Sequence, residues 1–104
     1  MVDEKTIEVE VQLLPPLSNT AGRERVKLTL REGATIQAVI DALLERFDDP
    51  QFRLHLYDTR GRLIPAWCAF VNGRPAARFG SPEGPATPVM DGDEITFLLS
   101  LAGG

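Results

Sequence analysis

Apolar residues fall at every second position near the start of the chain, where Ile7, Val9, Val11 and Leu13 alternate with Glu8, Glu10 and Gln12. A period of two sends successive side chains to opposite faces of a strand, so this segment predicts a strand with one face in a core and one in water. Pro15-Pro16-Leu17-Ser18-Asn19-Thr20-Ala21-Gly22 breaks the pattern and reads as a loop, because two prolines remove ladder donors and Ser, Asn and Gly favour turns. A second alternation sets Val26, Leu28 and Leu30 against Lys27, Thr29 and Arg31. The two strands are expected to pair as a hairpin with a long connection.

The period then changes. After the turn Glu32-Gly33-Ala34, Thr35 is placed to cap a helix whose apolar positions are Ile36, Val39, Ile40, Leu43, Leu44 and Phe47. Gln37, Asp41, Glu45 and Arg46 occupy its opposite face, and Asp49-Pro50 is read as the stop, since a residue before proline avoids helical angles. Phe52, Leu54 and Leu56 alternate with Arg53, His55 and Tyr57 before the turn Asp58-Thr59-Arg60-Gly61, which predicts a short hairpin. Trp67 to Val71 is an apolar strand ending at the turn signal Asn72-Gly73, and Pro75 demotes the segment after that turn to an edge. Gly80 to Pro85 reads as a flexible loop. Asp91-Gly92-Asp93 turns the chain into a last strand in which Ile95, Phe97, Leu99 and Leu101 share one face.

Together these elements predict an α+β roll: a mixed sheet of four to five strands packed against one main helix. The first and last strands alternate most strongly and are expected to lie side by side and parallel, with the helix crossing between the two halves. At 104 residues and 43% hydrophobic content the chain suits one domain, taken as 1–104.

Composition removes several function classes. A net charge of −4, with 11 Lys and Arg against 15 Asp and Glu, offers no basic stripe for nucleic acid. No apolar run approaches the roughly 20 residues of a membrane span. Met1-Val2-Asp3-Glu4-Lys5 opens acidic with no apolar stretch behind it, unlike a secretion signal, and the expected compartment is the cytoplasm. A single cysteine excludes an internal disulfide and cannot by itself build a zinc or iron–sulfur site. No metal and no bound cofactor are expected.

The candidate chemistry lies at Gly103-Gly104, directly after the last strand. Ala21-Gly22-Arg23, Gly33-Ala34-Thr35, Val71-Asn72-Gly73, Asp91-Gly92-Asp93-Glu94-Ile95 and Ala102-Gly103-Gly104, in that order, resemble the MoaD/ThiS family of ubiquitin-like β-grasp sulfur carriers. This group includes the molybdopterin-synthase small subunit and the thiamine sulfur carrier. Leu99-Ser100 stands where members often carry a proline pair, and the segment from Phe79 to Pro88 is longer than a minimal member needs. The thiamine carriers tend to be shorter, which favours the molybdopterin type, with thiamine, cysteine or another sulfur metabolite as the alternative destinations.

The resemblance implies a β-grasp fold and a carrier or co-substrate, not an enzyme. An E1-like adenylyltransferase would use ATP to activate the Gly104 carboxylate, and a sulfurtransferase or desulfurase would supply sulfur to make a thiocarboxylate. A larger synthase subunit, or another sulfur-using enzyme, would then receive the tail formed by Leu101, Ala102, Gly103 and Gly104. The alternative is a ubiquitin-like modifier joined through Gly104 to lysines. Glycines suit a neck threading a narrow channel, because a Cβ would forbid some backbone angles, and residues 101–104 fully extended reach about 14 Å. No Gly-x-x-x-x-Gly-Lys phosphate loop accompanies the tail in this chain.

Other reactive residues read as structural. Cys68, inside Trp67-Cys68-Ala69-Phe70-Val71, is taken as a small buried hydrophobe. His55 falls on the polar face of its predicted strand and is read as solvated. Asp91, Asp93 and Glu94 lack the further ligands of a calcium loop and fit a turn. Leu98 lies on the face opposite Ile95 and Phe97, where water is expected. It either forms a second small core with Trp67 or Phe70, or it meets a partner. The resemblance favours Leu98 and Phe70 as partner contacts, because activating enzymes and synthase subunits grip an apolar sheet patch beside the tail.

Overall fold

The computed structural model describes residues 5–99, so the tail residues Leu101, Ala102, Gly103 and Gly104 lie outside the described residues. The elements are β1 (Thr6–Gln12), α1 (Leu17–Ala21), β2 (Arg25–Arg31), α2 (Ile36–Arg46), α3 (Pro50–Leu56), β3 (Trp67–Val71), β4 (Arg74–Arg78) and β5 (Glu94–Leu99). The strands form one sheet in the order β2-β1-β5-β3-β4. β1 and β2 are antiparallel with Val9 opposite Leu28, and β5 runs parallel to β1 with Ile95 opposite Val11. β3 is antiparallel to both β5 and β4. The predicted α+β architecture and the parallel adjacency of the first and last strands are both present.

The inner face of the sheet carries the core. Ile7, Val9 and Val11 of β1, Val26 and Leu28 of β2, Ile95 and Phe97 of β5, and Trp67 and Ala69 of β3 are buried there. Ile36, Val39, Ile40 and Leu43 of α2 are sealed from solvent, the i, i+3, i+4, i+7 spacing having delivered one apolar stripe to the core. Leu99 departs from the expected inner-face run: it is 39% exposed, although it lies opposite the buried Trp67. Leu101 falls outside the described residues.

The segment from Phe79 to Pro88 does specific work at the start of α2. Thr35 caps the helix, its hydroxyl accepting from the Ala38 N–H at 3.4 Å. The Thr87 carbonyl accepts from the Ile36 N–H at 2.9 Å, and the Pro85 carbonyl from the Gln37 N–H at 2.8 Å. These are N–H groups that a helix start leaves without internal partners. The stretch read from sequence as a flexible loop is therefore a strap bonded to the helix N-terminus.

Residues 50–56 correct the predicted hairpin. They form a helix, α3, in which Phe52 and Leu56 are buried at i, i+4 while Leu54 is exposed. Asp49 caps it, accepting from the Gln51 N–H at 2.8 Å, and Pro50 sits in the first turn, where a missing N–H costs nothing. The dipeptide that stops α2 thus also starts α3. The turn after it is real: the Asp58 carboxylate accepts from the Arg60 and Arg62 N–H groups at 2.8 and 3.0 Å. The Arg62 N–H first, and then that of Arg60, hold this exposed carboxyl below the ordinary aspartate range.

His55 accordingly sits on α3 and not on a strand, with Nε2 2.8 Å from the Thr20 hydroxyl. Thr20 belongs to α1, a five-residue helix within the stretch expected to be a loop. Leu17 at its start is fully buried, and Gly22, at φ 75°, closes it by donating its N–H to the Ser18 carbonyl.

Candidate functional site

Because side chains alternate across a strand, the residues between the core positions form a second, outer face of the sheet. That face has two halves of different chemistry. On β1 and β2 it carries Glu8, Glu10 and Gln12 beside Arg25, Lys27 and Thr29. On β5, β3 and β4 the cross-strand rows are Leu98–Cys68–Arg78 and Thr96–Phe70–Pro75. The first half is charged and the second is apolar.

The apolar half opens as a groove of about 900 Å³ whose walls include Cys68, Phe70, Pro75, Arg78, Leu98 and Leu99. Leu98, Phe70 and Cys68 are half-buried, so the two residues singled out as partner contacts do share one surface. Trp67, the other neighbour considered for Leu98, is instead buried on the core side. The groove lies at the end of β5 from which the chain continues into residues 100–104.

Cys68 corrects the expectation of full burial: it faces the groove opposite Leu98, half-buried. Arg78 was not singled out by sequence, although the turn at Asn72-Gly73 carried the signal. Asn72 and Gly73 have φ values of 53° and 81°, the left-handed pair of a tight hairpin turn. Counting back along both strands, past a register shift at Ala69 and Phe70, sets Arg78 opposite Cys68. The groove therefore has an apolar floor with one cation at its rim.

At the other end of β5 the acidic residues build a turn, as expected. The Glu8 N–H donates to Asp91 at 2.7 Å, the Met90 N–H donates to Asp93 at 2.8 Å, and the Asn72 amide donates to Asp93 at 2.9 Å. Among the described residues no three His, Cys, Asp or Glu side chains are grouped so as to hold a metal ion. No helix among them is long and apolar enough to cross a membrane.

No family model matches the chain, and no curated protein matches it by sequence. Solved structures do match. SAMP1 from Haloferax volcanii is 24% identical, with a TM-score of 0.74 over 93% of this chain and 99% of that one. CysO from Mycobacterium tuberculosis is 26% identical, with a TM-score of 0.65 over 89% and 99% of the two chains. A chain of the BexX/CysO complex of Amycolatopsis orientalis gives 26% and 0.65 over 92% and 99%. With its five-stranded mixed sheet and single long helix, the chain has the ubiquitin-like β-grasp fold and resembles the sulfur-carrier and ubiquitin-like proteins that share it.

Proposed function

We propose that this protein is a ubiquitin-like sulfur carrier whose reactive group is the Gly104 carboxylate. The observation that carries the reading is the apolar groove at the end of β5, on a fold shared with CysO, immediately before the Gly103-Gly104 sequence. A carboxylate resists nucleophilic attack because its charge is delocalised and oxide is a poor leaving group. An E1-like partner would let the carboxylate oxygen attack the α-phosphorus of ATP, releasing pyrophosphate and leaving an acyl adenylate. Hydrosulfide delivered by a donor enzyme then displaces AMP and loses its proton, giving the thiocarboxylate. The chain is a co-substrate in this scheme, and the molybdopterin-type acceptor is favoured on length.

A second reading is supported by the likeness to SAMP1, since the related protein from Methanosarcina acetivorans is described as a small archaeal modifier protein. The same adenylate, attacked by a lysine amine, would give an isopeptide bond. Co-expression with the adenylating partner and a sulfur donor, followed by intact-mass analysis, separates the two. Carriage predicts a mass gain equal to sulfur minus oxygen, retained in Cys68→Ser and lost when Gly103 and Gly104 are deleted. Persulfidation of Cys68 would add a whole sulfur instead. Lysine branches ending in Gly-Gly on other proteins would support modification. Neither product, with partner activity unchanged by the deletion, would overturn both readings.

The groove gives a further expectation. Leu98→Asp or Phe70→Asp would put a charge on the proposed contact surface, where loss of a central apolar anchor typically costs about 2 kcal/mol or more of binding. Affinity for the adenylating partner, read by calorimetry, is expected to fall at least about 30-fold by that figure, with little change in Tm.

A further inference from the structure

The two edges of the sheet are finished differently. On β4 the edge is closed: the Arg78 carbonyl accepts from the Ser81 N–H at 3.1 Å, the Ala76 carbonyl accepts from the Thr87 hydroxyl at 3.5 Å, and Pro75 has no N–H to offer. On β2 the Arg31 carbonyl is likewise taken, accepting from the Ala34 N–H at 3.0 Å, but among the described residues nothing covers the outward backbone groups of Arg25, Lys27 and Thr29. The Leu13 N–H donates to the Glu24 carbonyl and the Glu32 N–H to the Lys5 carbonyl. With that register, Val26, Leu28 and Leu30 turn their backbone groups toward β1. Arg25, Lys27, Thr29 and Arg31 turn theirs outward, along a regular strand of seven residues with no proline and no bulge.

Charge selects what such an edge can pair with. Antiparallel pairing with a second copy, centred on Lys27, Leu28 or Thr29, would set Lys27 against Lys27, Arg25 against Arg31, or Lys27 against Arg31, and like charges directly opposite are destabilising. On its inner side β2 faces acidic Glu10 across from Lys27, and Glu10 also bonds Arg25 at 2.8 Å. A negative strand beyond β2 would continue that alternation of sign. Lys27 makes no ion pair among the described residues, and it lines a shallow groove with Leu28 and with Ala42, Glu45 and Arg46 of α2, so that cations outnumber the one anion there.

We infer that the β2 edge is a docking site for an extended acidic peptide segment of a partner protein, which adds a sixth strand to the sheet. Its alternate side chains are acidic and lie on the outer face beside Arg25 and Lys27. The intervening ones are apolar and lie toward α2 beside Leu30 and Ala42. This site is on the opposite edge from β4 and does not depend on the tail.

The test uses the full chain, isotope-labelled, titrated with a capped peptide alternating Glu and Val over the length of β2. Saturable shifts of the Lys27 and Thr29 amides, with slowed hydrogen exchange at both, are expected. Lys27→Glu should weaken binding at least tenfold, Thr29→Pro should abolish it while leaving Tm nearly unchanged, and a Lys/Val peptide should not bind. Deleting Gly103 and Gly104 should leave binding intact, which separates this result from that of the proposed carrier function. Absence of binding at millimolar peptide, binding indifferent to Lys27→Glu, or a dimer mediated by β2 in sedimentation would each overturn the inference.

Discussion

Trp67→Ala is expected to lower stability by about 3–5 kcal/mol, a large part of the roughly 5–15 kcal/mol available to a domain of this kind. The indole is only 2% exposed, so its removal leaves a cavity beneath β3. It also removes a bond. The Trp67 Nε1–H donates to the His55 carbonyl at 2.7 Å, one of the last carbonyls of α3, which the helix itself cannot satisfy. The neighbouring Leu56 carbonyl accepts from the Ile64 N–H at 2.8 Å, so the C-terminus of α3 is tied down by residues that come after it in the chain. Denaturant unfolding would report the loss as a lower midpoint at unchanged slope. Trp67→Phe separates the contributions, keeping most of the apolar volume and losing only the donor, and should cost about 1–3 kcal/mol. Equal losses for the two variants would refute the packing account.

Gly84→Ala is expected to be the next most damaging change, at about 3 kcal/mol. A Cβ on Gly84 would stand 1.8 Å from the Arg78 carbonyl oxygen and 2.6 Å from its carbon, and both are backbone atoms that cannot swing aside. Either the strap or β4 must move. Moving the strap loosens the Pro85 and Thr87 carbonyls from the α2 N-terminus, and moving β4 disturbs the groove wall at Arg78. By the usual entropy of unfolding, Tm should fall by roughly 12–24 °C. Gly80→Ala is the control: its Cβ would lie 3.1 Å from the side chain of Pro65, so a much smaller loss is expected. A Gly84→Ala protein as stable as the parent would show that the strap is not packed as described.

The sheet was legible because burial on one face writes itself as strict alternation, in Ile7 to Leu13 and in Val26 to Leu30 alike. The helix α2 was legible for the matching reason at a period of 3.6. The α3 segment failed because three apolar residues at spacing two also contain an i, i+4 pair, and over seven residues the two periods cannot be told apart. The capping chemistry of Asp49 and Pro50 held the answer. Leu17 was missed because a lone apolar residue among turn formers has no periodicity at all. At the candidate site, Leu98 was legible as an apolar residue on the wrong face. Arg78 became part of the site only through pairing across two strands. The inward bonds of the 79–88 strap depend on the start of α2, about fifty residues earlier in the chain, and no local pattern encodes them.

The parallel contact of β1 with β5, at the centre of the sheet, has a mechanical consequence. A machine that drew residues 100–104 into its own tunnel would tug along the axis of β5, loading its ladders with β1 and β3 in shear. Bonds loaded side by side share a force, whereas a hairpin pulled from its open end yields them one after another. A domain wired this way can be hauled by its end without coming apart.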